Sequence, residues 1–132
     1  MIQSKVFLGM FSAIALTLLT LPSTSWAGWE NLDEQQLREV ISDKTWIGKK
    51  FKIFWSADGR RKVVADDLEL LEDWTITEDE EAGTMVCAGA GTEMGERCSV
   101  IQKKKKKYRG IRIRPNGGKK TKFKVKDGIP AF

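Results

Sequence analysis

Apolar and polar residues alternate along much of this chain, and the pattern predicts a protein built mainly of β-strands. Phe51, Ile53 and Trp55 recur at every second position, which is typical of a strand with one inward face. Similar short segments follow, separated by turn-forming pairs such as Asp58-Gly59. We count about eight short strands, which predicts a small antiparallel barrel or a highly curved sheet.

One segment near the amino end has the period of a helix instead. Residues 31–42 place Leu37, Val40 and Ile41 on one stripe, and Asn31 or Asp33 can cap the start. A helix this short is marginal in isolation and must dock on the rest of the protein. We therefore expect it to close one end of the barrel or to cover an edge of the sheet.

The two cysteines predict a β-hairpin stapled by a disulfide. Pairing Cys87 with Cys98 places Met85 opposite Val100, so that all four side chains face the same way. Glycines between the cysteines supply the backbone freedom that a turn needs. The strand that contains Trp74 is expected to present a matching inward face.

The last hairpin is predicted from the parity of its apolar residues. Ile111 and Ile113 share a face with Phe123 if Ile111 lies opposite Phe123 and Ile113 lies opposite Thr121. The same register points the cations of both strands outward, namely Arg112, Arg114, Lys120, Lys122 and Lys124.

The start of the chain has the organisation of a cleaved signal peptide over residues 1–27. Lys5 precedes an apolar run over residues 6–21, and Ser25 and Ala27 are small residues at a cleavage position. The run of about sixteen residues is shorter than the roughly twenty that span a bilayer, which favours cleavage over an uncleaved anchor. We therefore expect a single β-rich domain over residues 28–132, periplasmic or secreted, where an oxidising environment suits a disulfide.

Charge is distributed unevenly over this domain. Residues 28–99 contain nine Lys or Arg and seventeen Asp or Glu, a balance of −8, whereas residues 100–132 contain thirteen against one, a balance of +12. Five consecutive lysines cannot all lie in a packed strand. We therefore expect a protruding, solvated connection, here named the lysine tip, at Lys103, Lys104, Lys105, Lys106 and Lys107. Together with the outward cations of the last hairpin, it forms a candidate anion-binding surface, unless the acidic segments neutralise it within the fold.

The residue types argue against several kinds of chemistry. The chain has no histidine, which excludes a serine or cysteine nucleophile with a histidine base. Two thiolates with Glu93 or Glu96 make a poor zinc site. Paired carboxylates within residues 66–73 could serve glycoside hydrolysis, but a solvated acidic turn is the better interpretation. We expect no enzyme activity, no metal and no cofactor.

Several motifs occur in a defined order along the chain. After the short helix they are Lys44-Thr45-Trp46-Ile47-Gly48, Asp58-Gly59, Asp73-Trp74-Thr75-Ile76, Val86-Cys87, Cys98-Ser99-Val100 and a final strand that ends before Pro130. In this order they resemble a family of small exported bacterial β-proteins of unassigned function. The resemblance implies a lipocalin-like or half-barrel fold in the bacterial periplasm and no catalytic residues. The lysine tip departs from that pattern.

These observations lead to one functional hypothesis and two alternatives. The first is a non-enzymatic exported domain that binds anionic lipid, lipopolysaccharide or acidic glycan through its cationic hairpin and lysine tip. Nucleic acid is a poor fit, since the protein is exported and Tyr108 is the only nearby aromatic that could stack a base. One alternative is a carrier of a small hydrophobic ligand, with Trp46, Phe51, Trp55 and Trp74 lining a barrel interior. The other is an inhibitor or subunit of another periplasmic protein.

Overall fold

The computed structural model describes residues 28–132, so the predicted signal peptide lies outside the described residues. Eight antiparallel strands close into a barrel around the larger of two apolar clusters. This confirms a mainly β protein with a small antiparallel barrel and one short helix. None of the helices in the described residues is long and apolar enough to cross a membrane.

The described chain contains nine strands and one helix. Their order is β1 (Glu30–Asn31), α1 (Glu34–Ile41), β2 (Lys44–Ile47), β3 (Lys52–Trp55), β4 (Arg60–Ala65), β5 (Leu68–Asp79), β6 (Gly83–Ala88), β7 (Arg97–Lys104), β8 (Lys107–Arg114) and β9 (Lys120–Asp127). From β2 onward each strand pairs with the next, and β9 returns to β2 to close the ring. Strand β1 is not part of the ring and pairs with β7.

The helix lies at one end of the barrel and the other end is formed by loops. Because neighbouring strands run in opposite directions, the connections β2–β3, β4–β5, β6–β7 and β8–β9 share one end, here named the open end. Helix α1 precedes β2 and therefore lies at the opposite, closed end. Its side chains of Leu37 and Ile41 are fully buried in the same cluster as Trp46, whose indole N–H donates to the Val40 carbonyl at 2.7 Å. The expectation that the helix closes one end is confirmed.

The start of this helix is fixed by a reciprocal cap. The Asp33 carboxylate accepts from the backbone N–H of Gln36 at 2.8 Å, and the Gln36 side chain accepts from the backbone N–H of Asp33 at 2.9 Å. Of the two candidate caps, Asp33 is therefore the one used, and the helix begins three residues later than the apolar stripe alone predicts.

The predicted disulfide is present. Cys87 and Cys98 are bonded to each other and lie directly opposite in the β6–β7 register. Met85 and Val100 share their cluster, which confirms that these four side chains face the same way.

That face, however, is not the one that Trp74 shares. Thr75 lies opposite Cys87, whereas Trp74 lies opposite Ala88 in the main core. The prediction that Trp74 shares a face with the cysteines is therefore wrong. In the register between β5 and β6, Trp74 points inward and the disulfide points outward.

The register of the last hairpin also differs from the prediction. Tyr108 lies opposite Phe123, and Ile111 lies opposite Lys120 rather than Phe123. The isoleucines face outward because they find apolar neighbours there: Ile111 pairs with Val100, and Ile113 packs beside the disulfide. The predicted register is wrong because β8 pairs with β7 as well as with β9, and Ile111 finds its apolar partner on β7.

This shift reverses the orientation of one predicted outward cation. Gly110 lies opposite Thr121 and, on its other side, opposite Ile101, all facing the interior. Arg112 is two positions further along and also lines the interior. The prediction that Arg112 points outward is therefore wrong.

The acidic segment divides between a turn and a strand. Asp66 and Asp67 form an exposed turn, as expected. The rest of the segment belongs to β5, which is twelve residues long, and Glu72 is buried with only 4% of its surface exposed. A solvated acidic turn is therefore the wrong interpretation for Glu72.

Candidate functional site

The barrel encloses a cavity of about 480 Å³ that opens between the loops of the open end. Phe51, Leu68, Met94 and Lys119 come from or adjoin those four loops and contribute to its wall. This volume lies within the range of protein sites for small molecules. Eleven of the lining residues are apolar, namely Trp46, Phe51, Ile53, Trp55, Val63, Leu68, Leu70, Val86, Met94, Ile101 and Phe123.

Stacked aromatic rings form the part of the wall nearest the helix. Trp46 stacks on Phe123 with ring centroids 4.0 Å apart and contacts Trp55 at 4.6 Å. Trp46, Phe51 and Trp55 therefore line the interior as the carrier hypothesis predicts. Trp74 packs edge-on against Trp55 in the core without lining the cavity.

The remaining wall is polar and carries charge of one sign. Three lining residues are small, namely Ser99, Gly110 and Thr121, and four are cationic, namely Arg61, Arg97, Arg112 and Lys119. No carboxylate of the described residues lines the cavity. We name Arg61, Arg97 and Arg112 the arginine cluster.

One buried carboxylate, Glu72, binds two members of this cluster without itself lining the cavity. Its Oε1 accepts from Arg61 Nε at 2.9 Å and contacts Arg61 Nη2 at 2.8 Å, while its Oε2 accepts from Arg97 Nη2. The side chains of Arg61, Arg97 and Glu72 are 12%, 13% and 2% exposed. Both carboxylate oxygens are thus engaged in charge-assisted hydrogen bonds.

The charges of Arg61 and Arg97 favour the ionised state of Glu72. Burial by itself would raise the pKa of Glu72, but the charges of Arg61 and Arg97 and their hydrogen bonds outweigh it and hold that pKa below its ordinary value. For Arg61, burial lowers the pKa, and the attraction of Glu72 opposes this. The guanidinium of Arg61 also lies 4.9 Å from the centroid of the Trp55 ring.

A glycine makes room for the ion pair between Glu72 and Arg97. At Gly89 an added Cβ would lie 2.9 Å from Glu72 Oε2, 3.1 Å from Arg97 Nη1 and 2.8 Å from the Gly95 carbonyl oxygen. Gly89 also has a φ of +89°, which side chains disfavour. The loop after β6 therefore passes close over the ion pair only because residue 89 has no side chain.

The third arginine of the cluster has no such partner. Arg112 lies opposite Ser99, is partly buried and lines the cavity. Burial lowers its pKa, and the positive charge of Arg97 lowers it further. Within residues 28–132 its guanidinium forms no ion pair and donates no hydrogen bond to a protein acceptor.

One buried donor near the cavity is unpaired. The indole N–H of Trp55 is buried and has no acceptor within the described part of the chain. Buried polar groups are normally hydrogen-bonded, so this donor is an exception within residues 28–132.

Most of the cations that the sequence assigned to anion binding are on the outer surface. Lys120, Lys122 and Lys124 are exposed along β9, and Lys122 lies opposite Arg109 of β8. Arg114 is 48% exposed and pairs with Asp79 at 3.7 Å, which is the internal neutralisation considered as the alternative.

The lysine tip is shorter than predicted. Only Lys105 and Lys106 form the turn, while Lys103 and Lys104 end β7 and Lys107 begins β8. The Nζ atoms of Lys103 and Lys104 lie 5.6 Å and 5.9 Å from the rings of Tyr108 and Trp29. In the described residues no ion pair forms at the lysine tip or at the three β9 lysines.

Three cavity residues and the buried carboxylate are not among the site residues predicted from the sequence. Arg61, Arg97 and Lys119 carry no motif, and Glu72 was grouped with its acidic neighbours. One signal could have found Glu72. It is two positions before Trp74 and therefore shares its inward face in an uninterrupted strand.

Comparison with known proteins gives no relative for this barrel. No family model, no curated protein and no solved structure matches the chain.

Proposed function

We propose that this protein is a non-enzymatic carrier that holds a small molecule inside its barrel, in the manner of a lipocalin. The observation that supports this most is the cavity of about 480 Å³, with an extended apolar wall and an arginine cluster on one side. Apolar walls with a few convergent polar groups are typical of small-molecule sites.

The distribution of side-chain size within the barrel also favours a ligand over a filled core. An eight-stranded barrel has an interior that side chains can just fill or that holds one small ligand. Here Gly110, Thr121 and Ser99 occupy three inward positions of β8, β9 and β7. Their small size leaves free space beside the aromatic stack at the closed end.

A matched pair of substitutions tests this proposal. Thr121→Phe adds a ring inside the cavity, whereas Thr75→Phe adds the same ring on the exposed outer face of β5. The probe is N-phenyl-1-naphthylamine, a neutral dye that fluoresces when it enters an apolar site and accepts energy from tryptophan. We expect saturable binding to the wild type and to Thr75→Phe, and a loss of about tenfold or more with Thr121→Phe because the cavity is filled.

Two results would overturn the carrier proposal. The first is failure of the dye and of a panel of lipids to bind the wild type at all. The second is equal binding to both phenylalanine variants, which would locate the dye on the outer surface.

The exposed lysines favour a second function, binding of the barrel to an anionic component of the cell envelope. The lysine tip and the β9 lysines carry positive charge that no carboxylate of residues 28–132 pairs with. Lys107 and Lys124 each flank the pair Tyr108–Phe123, so the two groups of lysines meet on the outer face of β8 and β9. The proposed location is the periplasm or the cell exterior, which the signal peptide predicted for residues 1–27 and the disulfide support.

Vesicle binding over a salt series tests this second function. We expect binding to vesicles with anionic lipid, weakening as salt screens the charges, and little binding to neutral vesicles. Changing Lys120, Lys122 and Lys124 to serine should weaken it. The control changes Arg38, Arg60 and Lys62 to serine, which removes the same charge from α1 and β4, away from β8 and β9. Equal weakening by both triple variants would argue against a defined surface.

A further inference from the structure

We infer that the ligand of the barrel is an acid with an apolar tail, whose carboxylate or phosphate head group is bound by Arg112 beside Arg97. This inference rests on the proposed carrier function and adds the chemistry of the ligand.

The cavity wall contains positive charge that the protein itself does not balance. One carboxylate, Glu72, binds the arginine cluster, and both of its oxygens are occupied by Arg61 and Arg97. Arg112 is left without a counter-charge in the described structure, and Lys119 adds a further positive charge near the opening. Burying unpaired charge of one sign is costly, so a bound anion would stabilise this arrangement.

The side chain of Arg112 has the donor geometry that an anionic head group needs. A guanidinium group offers five N–H donors in a planar fork, which fits two oxygens of a carboxylate or phosphate. The side chain of Arg112 donates to no protein acceptor of residues 28–132, and the residue opposite it is Ser99, whose side chain is small. The donors are therefore available to a ligand in the cavity.

The positive charge of the cavity wall disfavours other head groups. A cationic head group would be repelled by four positive side chains in the wall. A neutral head group would leave the charge of Arg112 uncompensated. Carboxylate and phosphate both satisfy the site, and the experiment below distinguishes them.

The two arginines and the aromatic stack lie at different ends of the cavity. Arg97 follows the β6–β7 loop, and the backbone N–H of Arg112 donates to the Lys119 carbonyl at 2.9 Å, so both arginines are on the open-end side of the cavity. The stacked rings of Trp46 and Phe123 are at the side of helix α1. The head group therefore lies toward the opening and the tail toward the aromatic stack.

A series of four ligands with one tail tests the inference. Dodecanoic acid, dodecyl phosphate, dodecanol and dodecylamine each compete with N-phenyl-1-naphthylamine for the wild-type protein, below their aggregation concentrations. We expect at least one of the two acids to bind about tenfold or more tighter than the alcohol, because a charge-assisted hydrogen bond contributes 1.5–3 kcal/mol, roughly a factor of 10 to 100. The amine is expected to bind most weakly.

Variants then locate the preference. Arg112→Met should weaken binding of the preferred acid by about 10- to 100-fold and change binding of the alcohol by less than about threefold. Arg112→Lys should retain part of the preference, since it keeps the charge and loses the planar fork. The control is Arg38→Met, at an exposed arginine on helix α1.

The possible outcomes separate the two proposals. If alcohol and acids bind equally, or if Arg112→Met weakens all four ligands alike, the head-group inference is wrong and the carrier function stands. If the amine binds most tightly, the inference is also wrong. If neither the dye nor any of the four ligands binds the wild type, the carrier function fails and the inference fails with it. Should Arg112→Met not fold, the wild-type preference and Arg112→Lys still decide.

Discussion

Glu72 on β5 and Arg97 on β7 form an ion pair across β6, the strand that separates their own strands in the sheet. Arg61, directly opposite Glu72 on β4, binds the other carboxylate oxygen. Three strands, β4, β5 and β7, are thereby connected at one position inside the barrel. Glu72, with 4% of its surface exposed, is the only buried charged residue of the described chain.

We expect Glu72→Gln to destabilise the protein by about 3 kcal/mol, because removing one partner of a buried pair leaves the other charges uncompensated. Arg61 and Arg97 would then face each other without an anion. The free energy of unfolding in urea measures this loss. The control is Glu69→Gln, where an exposed carboxylate lies 3.5 Å from Lys62 and the expected change is below about 1 kcal/mol. Equal effects of both changes would contradict the role assigned to the buried pair.

The same carboxylate gives a pH dependence with a defined sign. The pKa of Glu72 is lowered in the folded state, so its stabilisation is present above the pKa of the unfolded chain and is lost as pH falls through the folded pKa. The difference in unfolding free energy between wild type and Glu72→Gln should therefore shrink as pH falls below about 4.3. A difference that stays constant from neutral pH to pH values near 2 would show that Glu72 does not act through its charge.

Substitutions at two glycines of the β6–β7 loop distinguish the cost of backbone strain from the cost of a close contact. Gly89 and Gly91 both have positive φ, +89° and +83°, but only Gly89 has atoms near the position of an added Cβ. We expect Gly91→Ala to cost about 1 kcal/mol from backbone strain, and Gly89→Ala to cost clearly more because it also displaces the ion pair. Thermal unfolding of the two variants measures the difference. Equal losses would mean that the ion pair tolerates a side chain at residue 89.

The disulfide is expected to stabilise the domain through the chain segment that it closes. Cys87 and Cys98 are eleven positions apart, and closing a loop of this length contributes about 3 kcal/mol in the chain-entropy model. Changing both cysteines to serine should lower the unfolding free energy by roughly that amount. An unfolding curve that the substitution leaves unchanged would show that the hairpin is held by its packing alone.

The fold was predictable from the sequence because its signals are local. Alternation along β3, the turn at Asp58-Gly59 and the pairing of Cys87 with Cys98 each depend on neighbouring residues or on one constraint. Ring closure between β2 and β9 has no such local signal, so a curved sheet and a barrel fitted the sequence equally well.

The site was less predictable because it depends on registers between strands. A hairpin whose partner strand is unknown can pair in two parities, and the wrong one turned Arg112 from the cavity to the surface. Glu72 was obscured for a related reason. In a run of acidic residues, composition indicates solvent exposure, while only the position relative to Trp74 shows that one member points inward.

The most direct test of a ligand inside the barrel is the NMR signal of each arginine Nε–H group, assigned through arginine-to-lysine variants and followed during titration with dodecanoic acid. We predict that the signals of Arg112 and Arg97 shift in a saturable way while that of exposed Arg38 does not move. Shifts confined to Arg38 and Arg114, with Arg112 and Arg97 unchanged at saturation, would contradict binding in the cavity.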